Sequence, residues 1–178
     1  EIILIECDAE AVARGLANVA KIFDGAVKRG KLSEEARAGR MAGVRGSTDY
    51  AELADADLVI EAVFEEIGVK RAVFAELGRV CRADAVLATN TSYLDPRAIA
   101  AGLPDPSRFI GLHFFSPAHI MKLLEIVPTP DTAPDVLATG FALGRSLNSY
   151  SNRATTAATC EPTALDPMHA VNTNCRPA

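Results

Sequence analysis

Residues 57–70, DLVIEAVFEEIGVK, open as a continuous apolar run and close on the acidic pair Glu65-Glu66. A run of this kind, without the alternation of a half-buried strand, marks a strand covered on both faces, as in parallel sheets flanked by helices. The helix expected next places Val69, Val73, Leu77 and Val80 on one stripe. A second buried strand, residues 85–89, then ends in the polar cluster Asn90-Thr91-Ser92.

The same alternation extends in both directions. Downstream, residues 96–103 read as a short helix, 108–115 and 122–127 as strands, and 134–147 as a closing helix with proline at an early position. Upstream, residues 2–5 form an apolar strand closed by Glu6, and Val12, Leu16, Val19, Phe23 and Val27 share one helical face. Residues 28–40 read as a polar connection, Val44 marks a weak strand, and Ser47 or Asp49 could cap a short helix over 51–53. Strands alternating with helices imply an α/β fold, a Rossmann-like doubly wound and mostly parallel sheet, in which ligands bind beyond the carboxyl ends of the strands. Glu6, Glu65, Asn90, Ser92 and His113 all fall near such ends.

Composition narrows the function. A chain of 178 residues that is 49% hydrophobic and 23% charged has the balance of one globular domain. A net charge of -5 with no Lys/Arg cluster argues against a nucleic-acid partner. No stretch approaches the roughly 20 consecutive apolar residues of a membrane span. Cys7, Cys81, Cys160 and Cys175 are scattered without ligand spacing, so they read as unpaired thiols and no metal site is expected. From residue 148 the character changes: all 12 glycines precede it, and only Tyr150, Leu165, Met168 and Val171 are large and apolar. Residues 148–178 read as an irregular or disordered tail, or as a stretch whose natural reading frame or cloned sequence was lost near Ser146 or Leu147.

Taken jointly, DLVIEAVFEEIGVK, then ATNTSYL, then FIGLHFFSPAHIMKLLEIV resemble the NAD-binding domain of the 3-hydroxyacyl-CoA dehydrogenases over residues 1–147. HFFSP is closer to the version in multifunctional β-oxidation proteins than the HFFNP of single-function enzymes. The resemblance implies NAD as cofactor and an L-3-hydroxyacyl-CoA substrate. It makes Glu6 the ligand of the adenosine ribose and assigns Ala62, Val63, Phe64, Glu65 and Lys70 to the NAD site. Asn90 and Ser92 become contacts near the nicotinamide and the substrate, with Ser92 holding the reacting oxygen. His113 becomes the catalytic base and Glu125 its carboxylate partner. Ser116 stands where the family more often has Asn, with shorter reach towards the cofactor. Lys70, four residues after Glu66, also reads as one half of a surface ion pair, and His119 and His169 read as structural.

The resemblance also defines what to expect outside these residues. The family domain opens with a strand and a GxGxxG turn, whereas no glycine precedes Gly15 here. In the strand order 3-2-1-4-5-6 that first strand lies mid-sheet, so this chain alone is expected to bind NAD poorly and turn over little substrate. A C-terminal helical domain and a dimer partner are expected of the family. The compartment it implies is the cytoplasm in a bacterium, and the peroxisome or mitochondrion in a eukaryote. Two other readings stand beside the enzyme: a non-catalytic nucleotide-binding remnant, and a dehydrogenase of a small hydroxy acid that carries no CoA.

Overall fold

The structure, a computed structural model, describes residues 1–153. They divide into two compact units, one over residues 1–53 and the other beginning at Ala54.

In the first unit, strand β1 (Ile2–Ile5) leads into helix α1 (Ala9–Lys28), whose first turn is capped by Asp8 accepting the Ala11 N–H. Gly30, at φ 66°, reverses the chain after α1. Helix α2 (Glu34–Ala42) follows, where the sequence reading had only a polar connection. No residue of α2 is buried, so no apolar stripe announces it. Its signals are local: Ser33 caps Ala36, Glu34 and Glu35 sit in the first turn and Arg40 in the last. Arg37 pairs with Asp24 at 2.5 Å, and Arg40 lies over the Phe23 ring at 5.8 Å, which fastens α2 to α1. Strand β2 (Val44–Ser47) then runs parallel to β1, Ile2 opposite Val44, and the expected short helix is a 3-10 turn, Tyr50–Leu53.

The second unit runs strand β3 (Leu58–Glu61), helix α3 (Ile67–Val80), strand β4 (Val86–Thr89), helix α4 (Pro96–Ala100), strand β5 (Phe109–Phe114), strand β6 (Leu123–Pro128), helix α5 (Pro134–Ser146) and strand β7 (Tyr150–Arg153). They form a five-stranded sheet in the order β3-β4-β5-β6-β7, parallel except for the β5–β6 pair. Side chains alternate between faces along each strand. One face brings Val86, Ala88, Ile110, Leu112, Leu124 and Ile126 against Val136 of α5. The opposite face carries Phe109, whose ring meets Phe74 of α3 edge-on at 5.0 Å between centroids. Helices thus cover both faces, as the doubly wound reading requires.

Strand β7 lies beyond residue 147, within the stretch that the sequence reads as a tail. Its residues, YSNR, have no apolar alternation, and their ordering comes instead from the parallel ladder with β6. Asn148, at φ 51°, makes the turn out of α5. The rest of the expected tail, including His169, lies outside the described residues. Cys7 is disulfide-bonded, against the expectation of an unpaired thiol; separation along the chain says nothing of approach in space. Cys81 is free and partly buried. No helix among the described residues is long and apolar enough to cross a membrane.

Gly111 marks the tightest contact between β5 and β6: a Cβ there would lie 2.9 Å from the Val127 Cβ and 3.1 Å from its carbonyl oxygen. Neither atom can swing aside. Gly111→Ala is expected to destabilise the chain by about 1–3 kcal/mol, read as a lower urea midpoint at unchanged slope.

Candidate active site

The antiparallel register of β5 and β6 sets His113 directly opposite Glu125. Opposed side chains in such a ladder stand roughly 5 Å apart at Cβ, and here the carboxylate closes the gap, with Glu125 Oε2 2.9 Å from His113 Nδ1. The pair is only partly buried, the side chains being 18% and 35% exposed. Glu125 accepts from Nδ1–H, which leaves Nε2 as the acceptor of the neutral ring. No protein atom among the described residues hydrogen-bonds Nε2, while the Phe115 ring braces the imidazole at 4.7 Å between centroids.

Beside it, the ends of β3 and β4 are held by a buried charge cluster. Lys70, wholly buried on α3, points its Nζ to Glu61 Oε1 at 2.7 Å, Glu65 Oε2 at 3.1 Å and the Val63 carbonyl at 3.4 Å. Its acidic partners are therefore Glu61 and Glu65, not Glu66, and the surface ion pair is overturned: α3 turns Lys70 inward against the strand. Glu61 also accepts from the Thr89 hydroxyl at 2.7 Å and the Val63 N–H at 2.7 Å. Glu65 accepts from the Thr91 hydroxyl and, at 2.7 Å, from the Ser92 N–H. Burial pushes the Glu65 carboxyl up, but the Thr91 hydroxyl, the Lys70 charge and the Ser92 N–H together outweigh it and hold the group below its usual range.

Asn90 ties the two regions together. Its side-chain oxygen accepts the Phe114 N–H at 2.8 Å and so extends the β4–β5 pairing to the residue beside His113. Among the described residues no hydrogen bond engages its amide nitrogen. Ser92 is exposed, and no described residue bonds its hydroxyl. Ala62 and Phe64 are exposed on the β3–α3 loop, with Val63 half-buried between them. Ser116 is exposed beyond β5, where no hydrogen bond engages its side chain among the described residues. His119 is exposed as well.

In the first unit, Glu6 follows β1, and its backbone N–H donates to the Ser47 carbonyl at 3.1 Å. Burial pushes its carboxyl up, against the Arg14 charge, which pulls it down. Among the described residues no hydrogen bond occupies the carboxylate, so both oxygens stay available to hydroxyl donors. Within the first unit the unused acceptors of Glu6 are groups that could take ribose hydroxyls, and within the second the amide of Asn90 and the hydroxyl of Ser92 are groups that could hold a carboxamide.

Sequence reasoning assigned no role to Glu61, Thr89 or Thr91. The signal was present in Glu61, a carboxylate inside a run of buried apolar residues, which demands a cation or several donors. Glu65 generates a prediction. Its lowered folded value means that it adds stability above the ordinary value of 4.5, and that this stability is lost as pH falls through the folded value. Glu65→Gln is expected to flatten the acid limb of the stability profile below that pH, measured by urea unfolding across pH 2–6 (roughly the carboxylate range), and to leave the neutral limb parallel to the parent's.

The family model for the 3-hydroxyacyl-CoA dehydrogenase NAD-binding domain matches residues 1–153. A peroxisomal fatty acid beta-oxidation multifunctional protein of Oryza sativa subsp. japonica is 39% identical over 146 residues, covering 82% of this chain and 20% of that protein. The peroxisomal bifunctional enzyme of Homo sapiens is 45% identical over 129 residues, covering 62% of this chain and 18% of its own. The crystal structure of 3-hydroxybutyryl-CoA dehydrogenase from Escherichia coli K12 superposes with a TM-score of 0.83 at 39% identity, covering 86% of this chain and 33% of that one. The chain spans about a fifth of the length of the two multifunctional relatives. With its match to the family model along the whole described length, the chain belongs to the 3-hydroxyacyl-CoA dehydrogenase NAD-binding domain family.

Proposed function

We propose that the chain contributes the NAD-binding half of an enzyme that oxidises L-3-hydroxyacyl-CoA to 3-oxoacyl-CoA in fatty-acid β-oxidation. The observation that carries the proposal is the pairing of His113 Nδ1 with Glu125 at 2.9 Å, which leaves Nε2 to face a substrate. Oxidation of a secondary alcohol removes a hydride from carbon and a proton from oxygen. NAD, when bound, supplies the hydride acceptor. His113 takes the hydroxyl proton on Nε2; Glu125 fixes the ring tautomer and faces the positive charge that the imidazole then carries. Ser92 donates to the same substrate oxygen and holds it within reach of Nε2. His113 afterwards releases the proton to solvent, so the balance is alcohol plus NAD to ketone, NADH and one proton.

Glu6 would accept from the adenosine ribose, and Asn90, the 62–65 loop and Ser116 would line the nicotinamide side, with the buried Lys70 supporting that loop from behind through Glu65 and the Val63 carbonyl. The acyl-CoA substrate, a helical C-terminal domain and a dimer partner belong to this reading, supported by relatives whose own chains extend well beyond the matched part. For compartment, the reading is the cytoplasm in a bacterium and the peroxisome or mitochondrion in a eukaryote; the rice protein is named peroxisomal.

In the whole enzyme that carries this domain, and at saturating NAD, His113→Gln is expected to lower the rate of NADH formation from L-3-hydroxybutyryl-CoA by about 10²–10⁴-fold. Glu125→Gln is expected to lower kcat with little change in the Kd for NAD. A His113→Gln variant as fast as the parent, or turnover confined to hydroxy acids without CoA, would sink the proposal.

A further inference from the structure

Three linked side chains run from the interior of the second unit to the turn that presents Ser92. Glu61 and Lys70 are its interior members, with side chains 1% and 0% exposed; Glu65, at 24%, is the outer one. An ammonium has three N–H donors, and Lys70 directs them to three acceptors: Glu61, Glu65 and the Val63 carbonyl. Glu61 is immobilised independently of Lys70 by the Thr89 hydroxyl and the Val63 N–H. The position of Lys70 is therefore set from within, by a carboxylate that has nowhere else to go. Glu65 has an alternative, since it could turn to water.

We infer that the buried Glu61–Lys70 pair is a positioning device for Ser92: it fixes the charge that holds Glu65, and Glu65 holds the backbone N–H groups of Ser92 and Tyr93. The two N–H groups converge on one carboxylate oxygen, at 2.7 and 3.4 Å, together with the Thr91 hydroxyl. Three donors on one oxygen define where the turn begins, and the Ser92 side chain leaves the backbone at that point. Neither Glu61 nor Lys70 bonds to Ser92 itself, so both act only through Glu65. Glu61 and Glu65 share a single ammonium, and Glu61 therefore also governs how much of its attraction reaches Glu65. The groups that face Glu65 are Lys70 from α3, with Glu61 of β3 behind it, and the uncharged Thr91, Ser92 and Tyr93 of the turn after β4. A pair that served only to stabilise the sheet would have no effect on the turn beyond a general loss of stability.

This inference rests on the place given to Ser92 in the proposed reaction, but its test does not require turnover. In the whole 178-residue chain, the Ser92 and Tyr93 amide resonances, followed by NMR against pH, report the titration of the carboxylate they touch. In Glu61→Gln the ammonium serves one carboxylate instead of two, and the midpoint seen at Ser92 is expected to fall. In the double variant Glu61→Gln/Lys70→Met the pair is replaced by neutral side chains of similar length. There the midpoint is expected to rise, and Ser92 and Tyr93 should exchange their amide hydrogens about tenfold faster at neutral pH while the β5–β6 ladder keeps its protection. Should Glu61→Gln alone fail to fold, the double variant, which leaves no buried charge unpaired, decides. An unmoved Ser92 midpoint in the double variant, or an equal loss of protection at every amide, overturns the inference. Full dehydrogenase activity retained by the double variant, in the whole enzyme and with these amide responses present, would instead count against the place given to Ser92 in the proposed reaction.

Discussion

The antiparallel pairing of β5 with β6 is the contact on which most of the second unit depends. In one register it brings Ile110 and Leu112 together with Leu124 and Ile126 under α5, and on the other face it sets His113 opposite Glu125. A slip of one residue would turn the apolar set away from the helix and part the histidine from its carboxylate at once. The core therefore enforces the geometry of the site. Hydrophobic burial, which is strong but indifferent to direction, is converted by strand periodicity into a directed hydrogen bond.

Around that pair, polar side chains replace the ladder where the ladder stops. The last paired residues of β4 and β5 are Thr89 and Gly111, and from there Asn90 reaches across to the Phe114 N–H. The Glu61–Lys70–Glu65 cluster does the same between β3 and the turn after β4. A buried ion pair of this kind is weak evidence for stability, because desolvation offsets much of its attraction. Its value lies in fixing direction at strand ends that would otherwise fray.

How much of this could be read beforehand divides along physical lines. Elements that bury an apolar face were legible: β3, α3, β4, β5, β6 and α5 all fall where periodicity placed them. Helix α2 and strand β7 were not, because α2 buries nothing and is held by Ser33, Arg37 and Arg40, while β7 takes its order from the edge of β6. At the site, His113 with Glu125 was carried by family resemblance, and the spacing of 12 residues became a contact only through the register. Lys70 was half legible: its importance showed, but its inward direction depends on how α3 is rotated on the sheet, which a lysine with an acid four residues before it does not reveal. Glu61 was passed over because it sat inside the apolar run that identified the strand.

Gly111 lends the site a further property. It lies two residues before His113 on the same face of β5, and Val127 lies two after Glu125 on β6. The absence of a side chain at Gly111 lets Val127 lie close against β5, where a Cβ would meet it at 2.9 Å. A position that contributes no atoms of its own to the chemistry thus sets how near the two strands that carry the dyad can come to each other.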